Sequence, residues 1–264
     1  MPSPEDIAAF EEFAQAMHAK YGEAFQAGLA LVPIANDLFE KPVAEPLAKV
    51  LRFLAKMVVN SNGAVLSLVV YGYGNDAIKI VRSMYEGAVT AAYLRAHPEK
   101  VDDYIDYFSI RRWRFYEHLK EENPAQVASL TPEHIEEMKA QYDKVAPTFV
   151  KNKKGHLHSS WRKGVSLKTM ADETQLGELY PIFYGVASSI QHVDISGMGH
   201  QIADGMLDVA VAPNEKFVKE AAIVGQHMTL RVLHEFNAAG NLGFDEQLEA
   251  AGKNHVAVWK KGQA

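Results

Sequence analysis

Apolar residues recur at helical spacing along most of the chain, and alternating strand patterns are nearly absent. Ile7, Phe10, Phe13, Ala14 and Met17 repeat on one face of a helix predicted from about Pro4 to Gly28, with Ser3 placed to cap it and Pro4 at its first position. Leu47, Val50, Leu51, Leu54 and Val58 form the stripe of a second helix, from about Val43 to Gly74, with a candidate kink at Asn60–Gly63. Asn75 is the expected N-cap of a third helix that ends near His97-Pro98, with Ile78, Val81, Tyr85, Val89 and Ala92 on its core face. A fourth, from Pro98 to about Glu122, is rich in Tyr, Arg and Glu, so one side must be wet. Thr131-Pro132-Glu133 has the cap, proline and acid of a helix start, and that helix ends near Ala146-Pro147. A basic loop over 148–165, a short helix from 167 to about 174 capped by Ser166, and a helix over 178–193 follow. Residues 194–212 are glycine-rich and mixed, and Pro213-Asn214 opens a last long helix ending near Ala239-Gly240. The tail is expected to be loosely held, with Trp259 tucked onto the body. Short links between long helices imply antiparallel neighbours. The prediction is therefore all-α: a single-domain antiparallel bundle of about six to eight helices over residues 1–240, then a C-terminal tail, 241–264.

Composition narrows the function classes. The chain has 264 residues, 48% of them hydrophobic and 23% charged, an ordinary balance for a protein with a sizeable core. A net charge of -6 gives no global attraction for nucleic acid or acidic membranes, so any phosphate binding must be local. With no cysteine, a disulfide framework, a thiolate metal site and a cysteine nucleophile are excluded. The N-terminus, Met1-Pro2-Ser3-Pro4-Glu5-Asp6, lacks the basic and apolar regions of a secretory signal, and a cytoplasmic location is expected. Met57–Asn75 is free of charge and approaches the ~20 residues of a membrane span. Its Asn60, Ser61, Asn62, Ser67 and Asn75 are costly in lipid, so a buried helix and no membrane are expected.

Candidate chemistry lies where local rules break. No formal charge occurs between Glu178 and Asp194. On a continuous helix Leu179, Ile182, Phe183, Val186 and Ile190 share one face, while Tyr180, Tyr184, Ser188 and Gln191 share the other, with His192 at its edge. A solvated face would carry Lys or Glu. This helix is therefore expected to be enclosed, its polar stripe facing either a cavity or a partner helix. The third helix offers a counterpart, because Arg82 lies about 60° from the centre of its core face and Glu86 is one turn on. Arg82 and Glu86 form either a strut between helices or an anion anchor with its orienting group. The loop 151–163 is the one dense basic patch, with five Lys or Arg, His156, His158 and Trp161. It reads as a solvated loop whose Trp161 plugs the core, or as a weak RNA grip. His156/His158, His192/Asp194/His200 and His227/His234 are thin metal candidates. The chain has no Glu-x-x-His, no His-Glu-x-x-His, no P-loop and no Gly-x-Ser-x-Gly, and Gly72-Tyr73-Gly74 lacks a preceding strand. No metal and no cofactor are expected.

The run Arg82-Ser83-Met84-Tyr85-Glu86, then Ala91-Ala92-Tyr93-Leu94, Tyr104 to Phe108, Trp161 and Tyr180 to His192 resembles a bacterial family of uncharacterised helical proteins, domain of unknown function 5677. The likeness covers about residues 50–205. It implies a helical fold and marks Arg82, Glu86, Trp161, Tyr184, Ser188 and His192 as matching positions, with no activity attached. More distantly the chain resembles HEPN domains, whose hallmark is an Arg followed four to six residues later by His; Arg112 and His118 have that spacing but lie about 240° apart around a helix. Three functions remain open: binding of a small anionic or polar ligand or a partner, a HEPN-like ribonuclease or nucleotide hydrolase, and a structural or regulatory homodimer. Whether the chain is an enzyme is not decided by its residues.

Overall fold

A computed structural model describes residues 4–192 and 213–261. The fold is all-α, with about ten helices and no strand among the described residues, slightly more helices than the pattern predicts. Two compact units make up the chain: residues 1–96 with 167–264, and residues 97–166.

In the first unit, α1 (Pro4–Leu29) and α2 (Leu31–Phe39) precede α3 (Pro46–Val70) and α4 (Gly74–Ala96). α3 and α4 pack on each other and on a late helix, α10 (Val218–Gly240), and these three form the core. α3 is long and apolar enough to cross a bilayer, yet its stripe of Leu51, Ala55, Val58, Val65 and Val69 is buried in that core. Its Asn60–Gly63 segment stays helical, so the expected kink leaves no break in the element.

The Gly72-Tyr73-Gly74 turn is shaped by a chain crossing. Gly72 has φ +75 and takes a hydrogen bond from the Asn214 amide at 3.1 Å. A Cβ on Gly74 would strike the backbone of Lys216 and Phe217. The glycines let the strand-like step at Asn214 pass close to the α3–α4 corner. α4 begins at Gly74 itself, so Asn75, the expected cap, lies inside the first turn with a buried, unpartnered Oδ1.

The helix expected over 178–193 runs without a break over residues 179–191, but it is not α throughout. Tyr180–Tyr184 is a wide π turn, and α9 covers only Gly185–Gln191. α10 starts at Val218 after Phe217, which sits in the left-handed region at φ 60, rather than at Pro213. Residues 241–264, expected as a loose tail, hold a 17-residue helix, α11 (Asp245–Lys261). The side chain of Asn237 starts it, accepting from the Phe244 amide and donating to Asp245, each at 3.0 Å. Leu248, His255 and Trp259 recur at helical spacing and are buried. Gln226 of α10 links three elements: Nε2 donates to the Ala24 carbonyl at 3.0 Å, while Oε1 accepts from His255 Nδ1 at 3.0 Å and Trp259 Nε1 at 3.2 Å.

In the second unit, α5 (Val101–Glu122), the single turn α6 (Pro124–Val127) and α7 (Pro132–Val145) enclose Tyr107, Ile110, Val145 and Phe149. Thr131 caps α7 as expected, its hydroxyl accepting from the His134 amide at 3.3 Å. The first unit also carries α8 (Leu167–Glu173), close to its predicted span.

Candidate functional site

Arg82 and Glu86 lie on α4, one turn apart, and Tyr184 closes the π turn that packs against that helix. The guanidinium donates from Nη2 to the Tyr184 hydroxyl at 2.7 Å and lies 3.1 Å from Glu86 Oε1. Tyr184 donates in turn to Glu86 Oε1 at 3.0 Å, closing a three-membered circuit. Nη1 donates to Gln191 Oε1 at 3.0 Å, and Nε is buried with no partner. The Arg82 side chain is 16% exposed and that of Glu86 42%, so the set is a half-open recess rather than a sealed core.

The aromatic surroundings hold the phenol in place. Arg82 Cζ lies 4.7 Å from the centroid of the Tyr184 ring, a cation–π distance. The Tyr180 and Tyr184 rings stack at 4.9 Å, and Tyr85 meets Tyr184 at 5.6 Å. Tyr85 donates to the Leu176 carbonyl at 3.0 Å. Burial first, then the neighbouring Glu86 carboxylate, raises the pKa of Tyr184. Its proton stays in place at neutral pH, as a hydroxyl that donates to Glu86 requires. Burial likewise raises the pKa of Tyr85.

The expectation of an enclosed polar stripe with His192 facing the guanidinium needs correction. His192 is exposed and is the C-cap of α9 rather than a member of its face. Its amide bonds to the Ser188 carbonyl at 3.0 Å, and Ser188 itself is half-buried. Gln191, the residue before it, is the one that reaches Arg82. Spacing places Gln191 on the uncharged face with Tyr184 and His192 only at its edge, and the contact to Arg82 follows that face.

Trp161 belongs to the second unit. It packs there edge-on to Tyr104 at 5.2 Å, against the Tyr107–Phe149 cluster. The basic loop around it is built by local bonds: Asn152 Oδ1 accepts from the amides of Lys154 at 3.1 Å and His156 at 3.2 Å. Lys163 pairs with Asp103 at 2.6 Å and lies 4.7 Å from the Phe149 ring centroid. Lys151, Lys153, Lys154 and His156 are exposed. On α5, Arg112 is half-buried and His118 exposed. No group of three His, Asp or Glu among the described residues is arranged to hold a metal ion. Asp194 and His200 lie outside the described residues.

Compared with known proteins, residues 48–206 match the family of unknown function DUF5677. The chain belongs to that family. No curated protein and no solved structure matches it at a significant level. In this DUF5677 chain the matched span contains all six candidate residues, from Arg82 to His192. It does not contain α10, the helix that completes the core around α3 and α4. The family match thus covers the Arg82 recess but not all of the packing that supports it.

Proposed function

We propose that this chain is a binding protein for a small anionic ligand, with Arg82 as the anchoring cation and Tyr184 and Glu86 as the groups that orient it. The observation that carries this reading is the incomplete pairing of the guanidinium. One of its nitrogens is buried without an acceptor, and another is met only by the neutral Oε1 of Gln191, an exposed residue at the last position of α9. A mostly buried arginine ordinarily saturates its donors with charged or carbonyl oxygens. An anionic oxygen in place of Gln191 Oε1 makes a charge-assisted bond roughly twice as strong as a neutral one.

Calorimetric titration with inorganic phosphate and with citrate tests this. Wild type should bind at least one of the two, Arg82→Gln should lose affinity at least tenfold with its helical circular dichroism unchanged, and Gln191→Ala should bind as well as wild type or better. Equal binding by wild type and Arg82→Gln excludes the site. A second reading, a joint that clamps the 180–191 segment onto α4, is favoured by the closed Arg82–Tyr184–Glu86 circuit. It predicts that Arg82→Gln lowers the melting temperature while no anion binds to wild type.

A further inference from the structure

A second concavity lies between α10 and α11, outside the span matched by the family. Its volume is about 710 Å³, within the range of small-molecule sites. Leu230 and Leu248 are buried at its base, and Val256 is exposed to it. Gly252 stands at the middle of α11, where glycine costs about 1 kcal/mol relative to alanine. A Cβ built there meets nothing within 4 Å, so neither a tight turn nor a close packing contact requires the glycine. Its absent side chain leaves room in the cavity wall.

The polar groups of this cavity are unevenly satisfied. His227, which is exposed, and His234, which is half-buried, stand two turns apart on α10 and have no protein hydrogen-bond partner among the described residues, so both are open to a ligand. Desolvation by the surrounding helices lowers the pKa of half-buried His234, and packing against α11 and then the charge of Arg231 lower that of His227 although its side chain reaches the surface, so the neutral form prevails at pH 7. Arg231 donates to Glu235 at 2.6 Å and to the Thr174 carbonyl at 3.0 Å. Glu235 is shared with Arg95, so two guanidiniums face one buried carboxylate. Lys253 pairs with Glu249 at 2.8 Å, and Asp245 is bonded to Asn237. Lys260 also lines the cavity and has no ion-pair partner among the described residues. The surplus charge around the cavity is positive.

We propose that the α10–α11 cavity binds an amphipathic monoanion, its apolar body against Leu230, Leu248 and Val256 and its anionic head at the cationic rim of Arg231 and Lys260. The apolar base selects for a hydrocarbon body, and the surplus of cations selects the sign of the head group. Neutral imidazoles offer N–H donors to the head without fixing it in place. The site is independent of the Arg82 recess.

Octanoate is the probe, followed on the full chain by titration calorimetry and by amide NMR shifts. Octanoate should bind and move amide signals of α10 and α11, while acetate, which lacks the body, and octylammonium, which reverses the charge, should each bind at least tenfold more weakly. Gly252→Leu projects a bulky side chain from the cavity wall into the space for the apolar body while favouring the helix. It should weaken octanoate binding at least tenfold with a melting temperature equal to or above that of wild type. Lys260→Glu is exposed and conserves the fold, and it should lower octanoate affinity while raising that of octylammonium. The proposal is overturned by absence of octanoate binding to wild type, by undiminished binding to Gly252→Leu, or by equal binding of octanoate and octylammonium.

Discussion

Gln226 shows how much a single buried amide can organise. It is 1% exposed, and its three side-chain hydrogen bonds join α1, α10 and α11. Truncation to alanine strands an imidazole and an indole N–H at once, each of which costs about 1–3 kcal/mol when left unpaired, while the Ala24 carbonyl keeps its place in the α1 ladder. Gln226→Ala should therefore lower stability by about 3 kcal/mol in urea denaturation, and a loss below about 1 kcal/mol would refute this role. The Arg82 cluster was partly legible in sequence at the same scale. Arg82 and Glu86 are fixed by i, i+4 spacing on α4, and Tyr184 by the uncharged stripe. At 3.6 residues per turn Gln191 falls within about 20° of Tyr184 and His192 about 80° away, at the edge of the polar face. The π turn at Tyr180–Tyr184 comes before both residues, so it shifts Leu179 and Tyr180 relative to α9 and leaves the spacing from Tyr184 to His192 that of an ordinary α-helix. That spacing, and the end of α9 at Gln191, leave Gln191 beside the guanidinium and His192 exposed.

At the scale of elements, long apolar stripes were readable and compensated ones were not. α3 and α4 announce themselves through ten or more buried positions at helical spacing. α11 buries few residues, and two of them, His255 and Trp259, are polar or amphipathic and meet their partner only on another helix. No local pattern records that Gln226 will be there. The same contact makes α11 sensitive to acid. Burial, then the nearby His227, pushes the pKa of His255 down to about 4. The folded state therefore keeps this imidazole neutral while the unfolded chain protonates near pH 6.5. The stabilisation is complete above about pH 6.5 and is lost as pH falls toward 4, an effect on the order of 2 kcal/mol. Chemical denaturation of wild type between pH 7 and pH 4.5 should show this decline, and His255→Gln should flatten it. An equal slope in both would locate the acid sensitivity elsewhere.

Across the whole molecule, the first unit is assembled from both ends of the chain, with residues 97–166 inserted between them. Hydrophobic periodicity reports which face of each helix is buried but not which helix covers it, so this interruption was not legible. α10 packs on both α3 and α4, and its Gly225 approaches Val65 and Val81. A chain cut after residue 206, the end of the family match, removes this third core helix. It should lose cooperative thermal unfolding and bind the dye ANS, the signature of a collapsed but unpacked state. A sharp two-state transition in that truncation would show that α3 and α4 do not need α10. The central claim remains the Arg82 recess as an anion site, and side-chain nitrogen NMR of Arg82 Nε and the Gln191 amide during phosphate titration tests it most directly. Both signals should shift together and saturate as the anion displaces Gln191 from Nη1. Signals that stay fixed while phosphate rises to millimolar levels would contradict it.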